Sequence, residues 1–129
     1  MPPEESQYPR DWLRVAGKDW RRMSQALDDG DAEEAGFWLQ QAIEKYLKAY
    51  LLSKGWALRR VHDLEVLVNE ASVHMPGLER YVGACRKISG YYLTERYPFM
   101  DSPLLTLEEV SGSRDEIVEL VELIRPGLR

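Results

Sequence analysis

Residues 31–55 read DAEEAGFWLQQAIEKYLKAYLLSKG, and this stretch decides the fold. Its apolar residues recur at three- and four-residue steps, which is the period of an α-helix with one buried face. Asp31 can cap the start of this helix, with Glu34 in the reciprocal position of a capping box. Lys54 and Gly55 supply a basic last turn and a C-terminal glycine. We therefore predict a helix from Asp31 to about Ser53. Its buried face is expected to contain Leu39, Ile43, Tyr46, Leu47, Tyr50 and Leu51.

Helical periodicity continues on both sides of this stretch. Upstream, a first helix begins near Pro9, because proline suits the first helical turn, and residues 1–8 are predicted to form a flexible tail. Downstream, a short third helix begins near residues 62–63. A fourth helix ends near Arg96, because Pro98 disfavours helical geometry at the residue before it.

The C-terminal part of the chain contains two matches to the helix-start pattern Ser/Thr-x-x-Glu. We assign the match at Ser113-Arg114-Asp115-Glu116 to the start of the last helix. Residues 99–112 are then a loop, in which Thr106 could start a single turn. Four main helices and one short helix, joined by brief loops, predict an all-α fold. The expected architecture is an up-and-down four-helix bundle with an additional short helix, and residues 9–125 form a single domain.

The composition restricts the class of function. Hydrophobic residues make up 44% of the 129 residues, which is enough for a folded core. The net charge of -5 does not attract nucleic acid to the chain as a whole, so we expect no DNA partner, and any RNA or nucleotide contact needs a local cationic patch. No signal peptide and no bilayer-length apolar run are visible, so a cytoplasmic protein without a membrane partner is expected. The single cysteine, Cys85, is interpreted as a small buried hydrophobe.

A first polar set lies on the predicted second helix. Gln41, Glu44, Lys45 and Lys48 recur at three- and four-residue steps and therefore share one side of it. One interpretation is a solvated helix face with a favourable pair between Glu44 and Lys48. The other is a binding surface, and the spacing alone leaves both open.

Two further polar positions mark helix ends. His62 and Asp63 stand where either could cap the third helix, and either could instead orient a site. Arg96 continues the predicted buried stripe of the fourth helix through Cys85 and Ser89, so it would face another helix or another subunit. It also lies at the negative end of its own helix dipole, which is a sufficient structural reason for an arginine.

Several classes of site lack support in the sequence. His62 and His74 do not form the Glu-x-x-His pattern of di-metal bundles, and no paired cysteines suggest zinc. There is no glycine-rich phosphate loop. We therefore predict no metal and no cofactor.

Taken together, three stretches resemble the HEPN family of small helical proteins. They are Gln41-Ala42-x-Glu44-Lys45-x-x-Lys48, His62-Asp63-Leu64 and Arg96-Tyr97-Pro98, within a match from Asp11 to Pro98. The resemblance implies a bundle of four or five helices that commonly forms a homodimer. Many members work beside a separately encoded minimal nucleotidyltransferase. Some of them are RNA-cutting toxins, and others bind nucleotides or act as accessory subunits.

The ribonuclease members of this family carry an arginine followed, after four to six residues, by a histidine. Here Arg96 is followed at those distances by Asp101 and Ser102 instead. The resemblance therefore implies a non-catalytic protein that binds a nucleotide or polyphosphate, with no catalytic residue assigned. The expected phosphate-binding residues are Arg96, Tyr97, Lys45 and Lys48. The expected orienting or structural residues are Gln41, Glu44, His62 and Asp63.

Two alternatives stay open at this point. The chain could be a divergent metal-independent ribonuclease toxin, in which Arg96 acts with His62 or Asp101 across a dimer. An RNA partner belongs to this less favoured alternative. The chain could also be a plain helical assembly module without a small-molecule site.

Overall fold

The computed structural model describes residues 6–96 and 105–128, and of residues 92–96 it describes the backbone alone. Within these ranges the chain contains five α-helices, two short 3₁₀ helices and no strand. The α-helices are α1 (Pro9–Asp28), α2 (Ala32–Ser53), α3 (Leu64–Ser72), α4 (Val82–Arg96) and α5 (Leu107–Ile124). The 3₁₀ helices are Pro76–Tyr81 and Arg125–Leu128. The predicted all-α bundle, with α3 as its short helix, is confirmed.

The predicted boundaries of α2 are also confirmed. The carboxylate of Asp31 accepts a hydrogen bond from the backbone N–H of Glu34. Gly30 and Gly55 adopt φ values of 78° and 86°, a backbone region that glycine enters without the penalty a side chain would bring. These two glycines therefore end α1 and α2 sharply and allow the chain to reverse.

The helix α2 forms the centre of the bundle. It contacts α1, α3, α4 and α5, and most of its residues are buried for that reason. The largest fully buried side chains of the core include Leu39, Ile43, Leu47 and Leu51 from α2, with Met23, Leu67, Ile88 and Leu120 from the other helices. Polar residues on α2 therefore enter a crowded interior, which matters for the site below.

The predicted start of the last helix is wrong. The helix α5 begins at Leu107, where the Thr106 hydroxyl accepts a hydrogen bond from the backbone N–H of Glu109. Ser113 lies inside the helix and is buried, and its hydroxyl is 2.8 Å from the hydroxyl of Tyr91 on α4. The capping pattern at Ser113 is thus a packing position, and part of the predicted loop over 99–112 is helical.

At the N-terminus, Ser6 packs against the first turn of α1. Its hydroxyl donates to Asp11, and its carbonyl accepts a 2.7 Å hydrogen bond from the indole N–H of Trp12. Ser6 and Trp12 are both buried, so the bundle interior begins before the first helix does.

No helix in residues 6–96 and 105–128 is both long and apolar enough to span a membrane.

Candidate functional site

A connected set of polar side chains runs along the α1–α2 side of the bundle. Nζ of Lys45 lies 2.7 Å from Oδ2 of Asp19 on α1, and it also donates to Oε1 of Gln41. The chain of hydrogen bonds continues through the neighbouring amides, because Gln41 donates to Gln40 and Gln40 donates to Glu44. These α2 side chains therefore provide hydrogen-bond partners for one another at the edge of the core.

Glu44 is the acceptor at the other end of this set. One of its oxygens, Oε2, is 3.1 Å from Nζ of Lys48, and Nδ1 of His62 lies 3.1–3.2 Å from both carboxylate oxygens. Lys48 is buried and also faces the ring of Trp12, with Nζ 5.2 Å from the ring centroid. Burial of the lysine is tolerated because the carboxylate and the aromatic face replace its water. The predicted Glu44–Lys48 pair is confirmed, and a solvated face at these two residues is wrong.

His62 is held in a defined orientation although its side chain is 65% exposed. Because carboxylate oxygens only accept hydrogen bonds, the ring donates to Glu44 from Nδ1, and Nε2 takes no part in this contact. The backbone carbonyl of His62 also accepts from the amide of Gln40. Two contacts with α2 thus fix the residue just before the start of α3.

These residues border a cleft of about 410 Å³, the cationic cleft. Its lining contains five basic side chains and three others: Lys45, Lys48, Arg59, Arg60 and His62, with Trp12, Gln41 and Glu44. Arg59 and Arg60 come from the connection between α2 and α3, and Arg59 pairs with Glu70. Arg60 is exposed and forms no ion pair with any residue in the described ranges. The cleft is therefore a local cationic patch on an acidic chain.

A second cleft of about 380 Å³ also borders His62 and lies between α3 and α4. This α3–α4 cleft is lined by Gln40, His62, Asp63, Glu65, Arg86, Ser89 and Gly90. Asp63 caps α3 by accepting from the backbone N–H of Glu65, as one of the two predicted interpretations required. Arg86 binds Glu65 through two hydrogen bonds, and this hydrogen bonding holds the pKa of the Glu65 carboxyl below its ordinary value.

A larger groove, of about 690 Å³, lies elsewhere, between α4 and α5. Its charges are mixed and partly paired across it, as in the contact between Lys87 and Glu116. None of the predicted site residues in the described ranges lines this groove. Size alone therefore does not make it the candidate site.

A family model for the HEPN domain matches residues 9–125. The chain belongs to the HEPN family. The crystal structure of TT1696 from Thermus thermophilus has the same fold, with a TM-score of 0.79 and 28% sequence identity. The match covers 93% of this chain and 98% of that one. No curated protein matches the sequence significantly.

In this HEPN protein the predicted site residues fall into three groups, one of which is Asp63 alone, which lines the α3–α4 cleft. Gln41, Glu44, Lys45, Lys48 and His62 all line the cationic cleft. The side chain of Arg96 and the whole of Tyr97 lie outside the described residues, as does Asp101. Their roles in binding stay predictions.

The backbone nevertheless limits which of these residues can meet. The helices α2 and α4 run antiparallel, since a Cβ at Gly36 would be 3.2 Å from Cβ of Tyr91 and Gln40 shares a cleft with Gly90. At about 1.5 Å of rise per residue, Arg96 lies roughly 7 Å beyond Tyr91 along α4. Lys45 lies roughly 13 Å beyond Gly36 in the opposite direction. The two Cα atoms are thus about 20 Å apart along the bundle, more than their side chains can bridge onto one phosphate.

Sequence reasoning missed Asp19, Arg59 and Arg60. The sequence does indicate that Asp19 is buried, because it lies three residues after Ala16 and four before Met23, within the buried stripe of α1. An aspartate in that stripe requires a buried partner, and Lys45 supplies it. The arginines lie on an irregular connection whose path the sequence pattern does not predict.

No group of His, Cys, Asp and Glu in 6–96 and 105–128 is arranged to hold a metal ion.

Proposed function

We propose that this HEPN protein is non-catalytic and binds the phosphate groups of a nucleotide or polyphosphate. One observation carries the proposal: Lys45, Arg59 and Arg60 line the same cleft beside His62. Arginine binds phosphate oxygens through two parallel N–H groups, and lysine binds them as a point charge. The replacement of the family's ribonuclease histidine by Asp101 and Ser102 supports binding without cleavage.

The existing ion pairs leave donors for a ligand. The ammonium group of Lys45 has three N–H donors and gives two of them to Asp19 and Gln41. Arg59 contacts Glu70 through Nη2 and lies over the ring of Trp56, and its half-exposed side chain gives no hydrogen bond from Nε or Nη1 to any residue in 6–96 and 105–128. Arg60 gives none of its donors to a residue in the described ranges. Lys48, which is buried, would contribute charge beneath the ligand and not a direct contact.

Arg96 and Tyr97 enter the proposal through the family resemblance. Because Arg96 lies about 20 Å from Lys45 along the bundle, one phosphate group can contact both only if two copies share it. We therefore propose a homodimer that places Arg96 of one copy near the cationic cleft of the other. Sedimentation velocity at micromolar concentration is expected to give a dimer, and a monomer would remove this part of the proposal.

The biological role proposed for this binding is that of an accessory or toxin–antitoxin partner of a minimal nucleotidyltransferase. The family resemblance supports it, and the plain assembly module is the competing interpretation. The expected result is co-purification with a minimal nucleotidyltransferase encoded beside this chain. If no such gene is adjacent, or if its product is not retained, the partner part fails while the binding part stands.

Calorimetric titration with ATP and GTP tests the binding itself. We expect saturable binding at or below millimolar ligand, weakened about tenfold or more by Arg60→Ala, because a charge-assisted bond to phosphate is lost. Arg14→Ala is the matched control, since Arg14 is exposed on α1 and does not line the cleft. Absence of heat at millimolar ligand, or equal effects of the two variants, would count against the proposal.

A second candidate function is favoured by the geometry of His62. A histidine whose Nδ1 is held by Glu44 can take a proton at Nε2, which is the arrangement that a general base needs. In a metal-independent ribonuclease, His62 would take the 2′-hydroxyl proton while Arg96 or the cleft arginines stabilise the phosphorane. Incubation of RNA in EDTA is the test. Cleavage to 2′,3′-cyclic phosphate ends that disappears in His62→Ala would replace the non-catalytic proposal, and intact RNA would eliminate the enzyme.

A further inference from the structure

A further pocket, of about 330 Å³, lies where α1 and α2 meet the C-terminal 3₁₀ helix Arg125–Leu128. This basic corner pocket is lined by Leu13, Gly17, Trp20, Arg21, Tyr46 and Arg125. None of these residues lines the cationic cleft, although Tyr46 directly follows Lys45 in the chain. Consecutive residues point about 100° apart around an α-helix, so the pocket and the cleft lie on different sides of α2.

The lining of this pocket contains two arginines and, among the described residues, no acid. Arg21 and Arg125 are both exposed, and neither forms an ion pair or a hydrogen bond with a residue in 6–96 and 105–128. Arg22, the next residue on α1, is by contrast bound to Asp19. Because like charges repel each other, an anion placed between Arg21 and Arg125 would replace repulsion by attraction.

A buried tyrosine adds a third donor to the pocket. Tyr46 is 4% exposed, and its hydroxyl forms no hydrogen bond with any residue in 6–96 and 105–128. The fully enclosed side-chain oxygen that lacks a partner in these ranges belongs to Glu70, so the Tyr46 hydroxyl must reach the solvent of the pocket. Burial raises the pKa of Tyr46, and the charges of Arg125 and Arg21 oppose this rise. The hydroxyl therefore stays protonated at neutral pH and can donate to a ligand.

The rest of the pocket wall is apolar and aromatic. The ring of Trp20 stands edge-on to that of Tyr46, with centroids 6.5 Å apart and planes at 71°. Leu13 extends this wall, and Gly17 leaves space beside it, since a Cβ there would meet no atom within 4 Å. The pocket volume lies near the lower end of the roughly 300–1,000 Å³ found for small-molecule sites. A compact ligand with one anionic end and one apolar end fits this lining.

We propose that the basic corner pocket binds a small organic acid, with its anionic group between Arg21 and Arg125 and its apolar body against Trp20. The anionic group is a carboxylate or a phosphate, because arginine binds either oxyanion through two parallel N–H groups. The Tyr46 hydroxyl would donate a further hydrogen bond to it. This second site is separate from the cationic cleft and does not depend on the proposed function.

The test follows the tryptophan indole N–H signals by NMR while benzoate, phenyl phosphate or inorganic phosphate is added, each against sodium chloride at equal ionic strength. Benzoate or phenyl phosphate is expected to shift the Trp20 signal saturably at millimolar concentration, and the better of the two identifies the anionic group. Inorganic phosphate should bind about tenfold more weakly, because it lacks the apolar contact. Trp12 lines the cationic cleft, so its signal reports binding there separately.

Two variants remove one donor each. Tyr46→Phe and Arg125→Ala are each expected to weaken binding of the organic probe about tenfold, through loss of a hydrogen bond to a charged group. Tyr50→Phe is the matched control for the tyrosine, since Tyr50 is also buried on α2 but does not line the pocket. Arg14→Ala is the control for the arginine, because Arg14 is exposed on α1 outside the pocket. Both controls should leave the affinity unchanged.

Circular dichroism and thermal unfolding establish that the variants are folded. Three results would overturn the inference: no shift of the Trp20 signal beyond that caused by sodium chloride, equal affinity for inorganic phosphate and the organic probes, or equal effects of Tyr46→Phe and Tyr50→Phe. Each of them leaves phosphate binding in the cationic cleft intact. Failure of that cleft to bind would in turn leave the basic corner pocket unaffected.

Discussion

Asp19 on α1 and Lys45 on α2 form an ion pair in which the carboxylate is 1% exposed and Oδ2 lies 2.7 Å from Nζ. Oδ1 of the same carboxylate binds the half-exposed Arg22, so two cations neutralise one buried anion. The pair joins the two longest helices at the edge of the proposed phosphate site. Its strength therefore bears on both folding and binding.

Replacing Lys45 with alanine is expected to lower the free energy of unfolding by about 1–3 kcal/mol, because Asp19 is left buried with one solvent-screened partner. Urea unfolding measures the change. Lys18→Ala is the control, since Lys18 is exposed on α1, and it should change stability by less than about 0.5 kcal/mol. A double-mutant cycle with Asp19→Ala should give a coupling above about 0.5 kcal/mol, and strict additivity would contradict the pairing.

The start of α5 is tested by two substitutions. Thr106→Ala is expected to cost about 1 kcal/mol of stability through loss of the N-cap. Ser113→Gly should cost more than a few tenths of a kcal/mol, since it places a glycine inside a helix and leaves the Tyr91 hydroxyl without its partner. At an N-cap the same serine-to-glycine change would cost only a few tenths of a kcal/mol. Thermal unfolding of both variants distinguishes these outcomes.

These residues also show how far the sequence could predict the fold. Thr106 and Ser113 both match the helix-start pattern, and local chemistry cannot choose between them. The choice depends on burial of Ser113 against Tyr91, which lies 22 residues earlier in the chain. By contrast, the start of α2 was predictable because Asp31 needs only the N–H groups of its own first turn.

The site was predictable in part for a related reason. The spacing of Glu44, Lys45 and Lys48 correctly placed them on one side of a helix. Periodicity does not reveal that this side faces other helices, so burial of Glu44 and Lys48 depended on the position of α2 at the centre of the bundle. The contribution of Arg60 could not be predicted, because it depends on the path of the irregular α2–α3 connection.

Replacement by alanine is expected to have opposite effects at Gly36 and Gly17, because Gly36 lies where α2 approaches α4 closely and Gly17 lies in open space. A Cβ at Gly36 would lie 2.8 Å from Cδ1 of Leu105 and 3.2 Å from Cβ of Tyr91, so Gly36→Ala must displace its neighbours. At Gly17 on α1 a Cβ meets nothing within 4 Å. We expect Gly17→Ala to stabilise the protein by about 0.5–1 kcal/mol and Gly36→Ala to destabilise it by about 1–3 kcal/mol. Equal stabilisation by both changes in chemical denaturation would show that the helices are farther apart.

Burial raises the pKa of the Cys85 thiol to about 12, so it should resist a neutral-pH thiol reagent until the protein unfolds. Rapid labelling of folded protein at pH 8 would contradict this expectation.

The raised pKa of the Cys85 thiol also predicts a pH dependence of stability. Below about pH 9 the thiol is protonated in both states, whereas at higher pH only the unfolded state ionises. Stability should therefore fall between about pH 9 and 12, by up to about 1.4 kcal/mol per pH unit relative to Cys85→Ala.

The polar contacts between α1 and α2 also affect how these two helices align along their axes. Apolar helix surfaces rich in alanine and leucine can slide by one turn, about 5.4 Å, with little loss of buried area. Such a slip would separate Asp19 from Lys45 and Trp12 from Lys48 at once, leaving charges stranded in the core. We expect the double variant Asp19→Leu, Lys45→Met to stay folded but to show doubled or broadened NMR resonances from α1. This result would show that the polar side chains restrict the two helices to a single alignment.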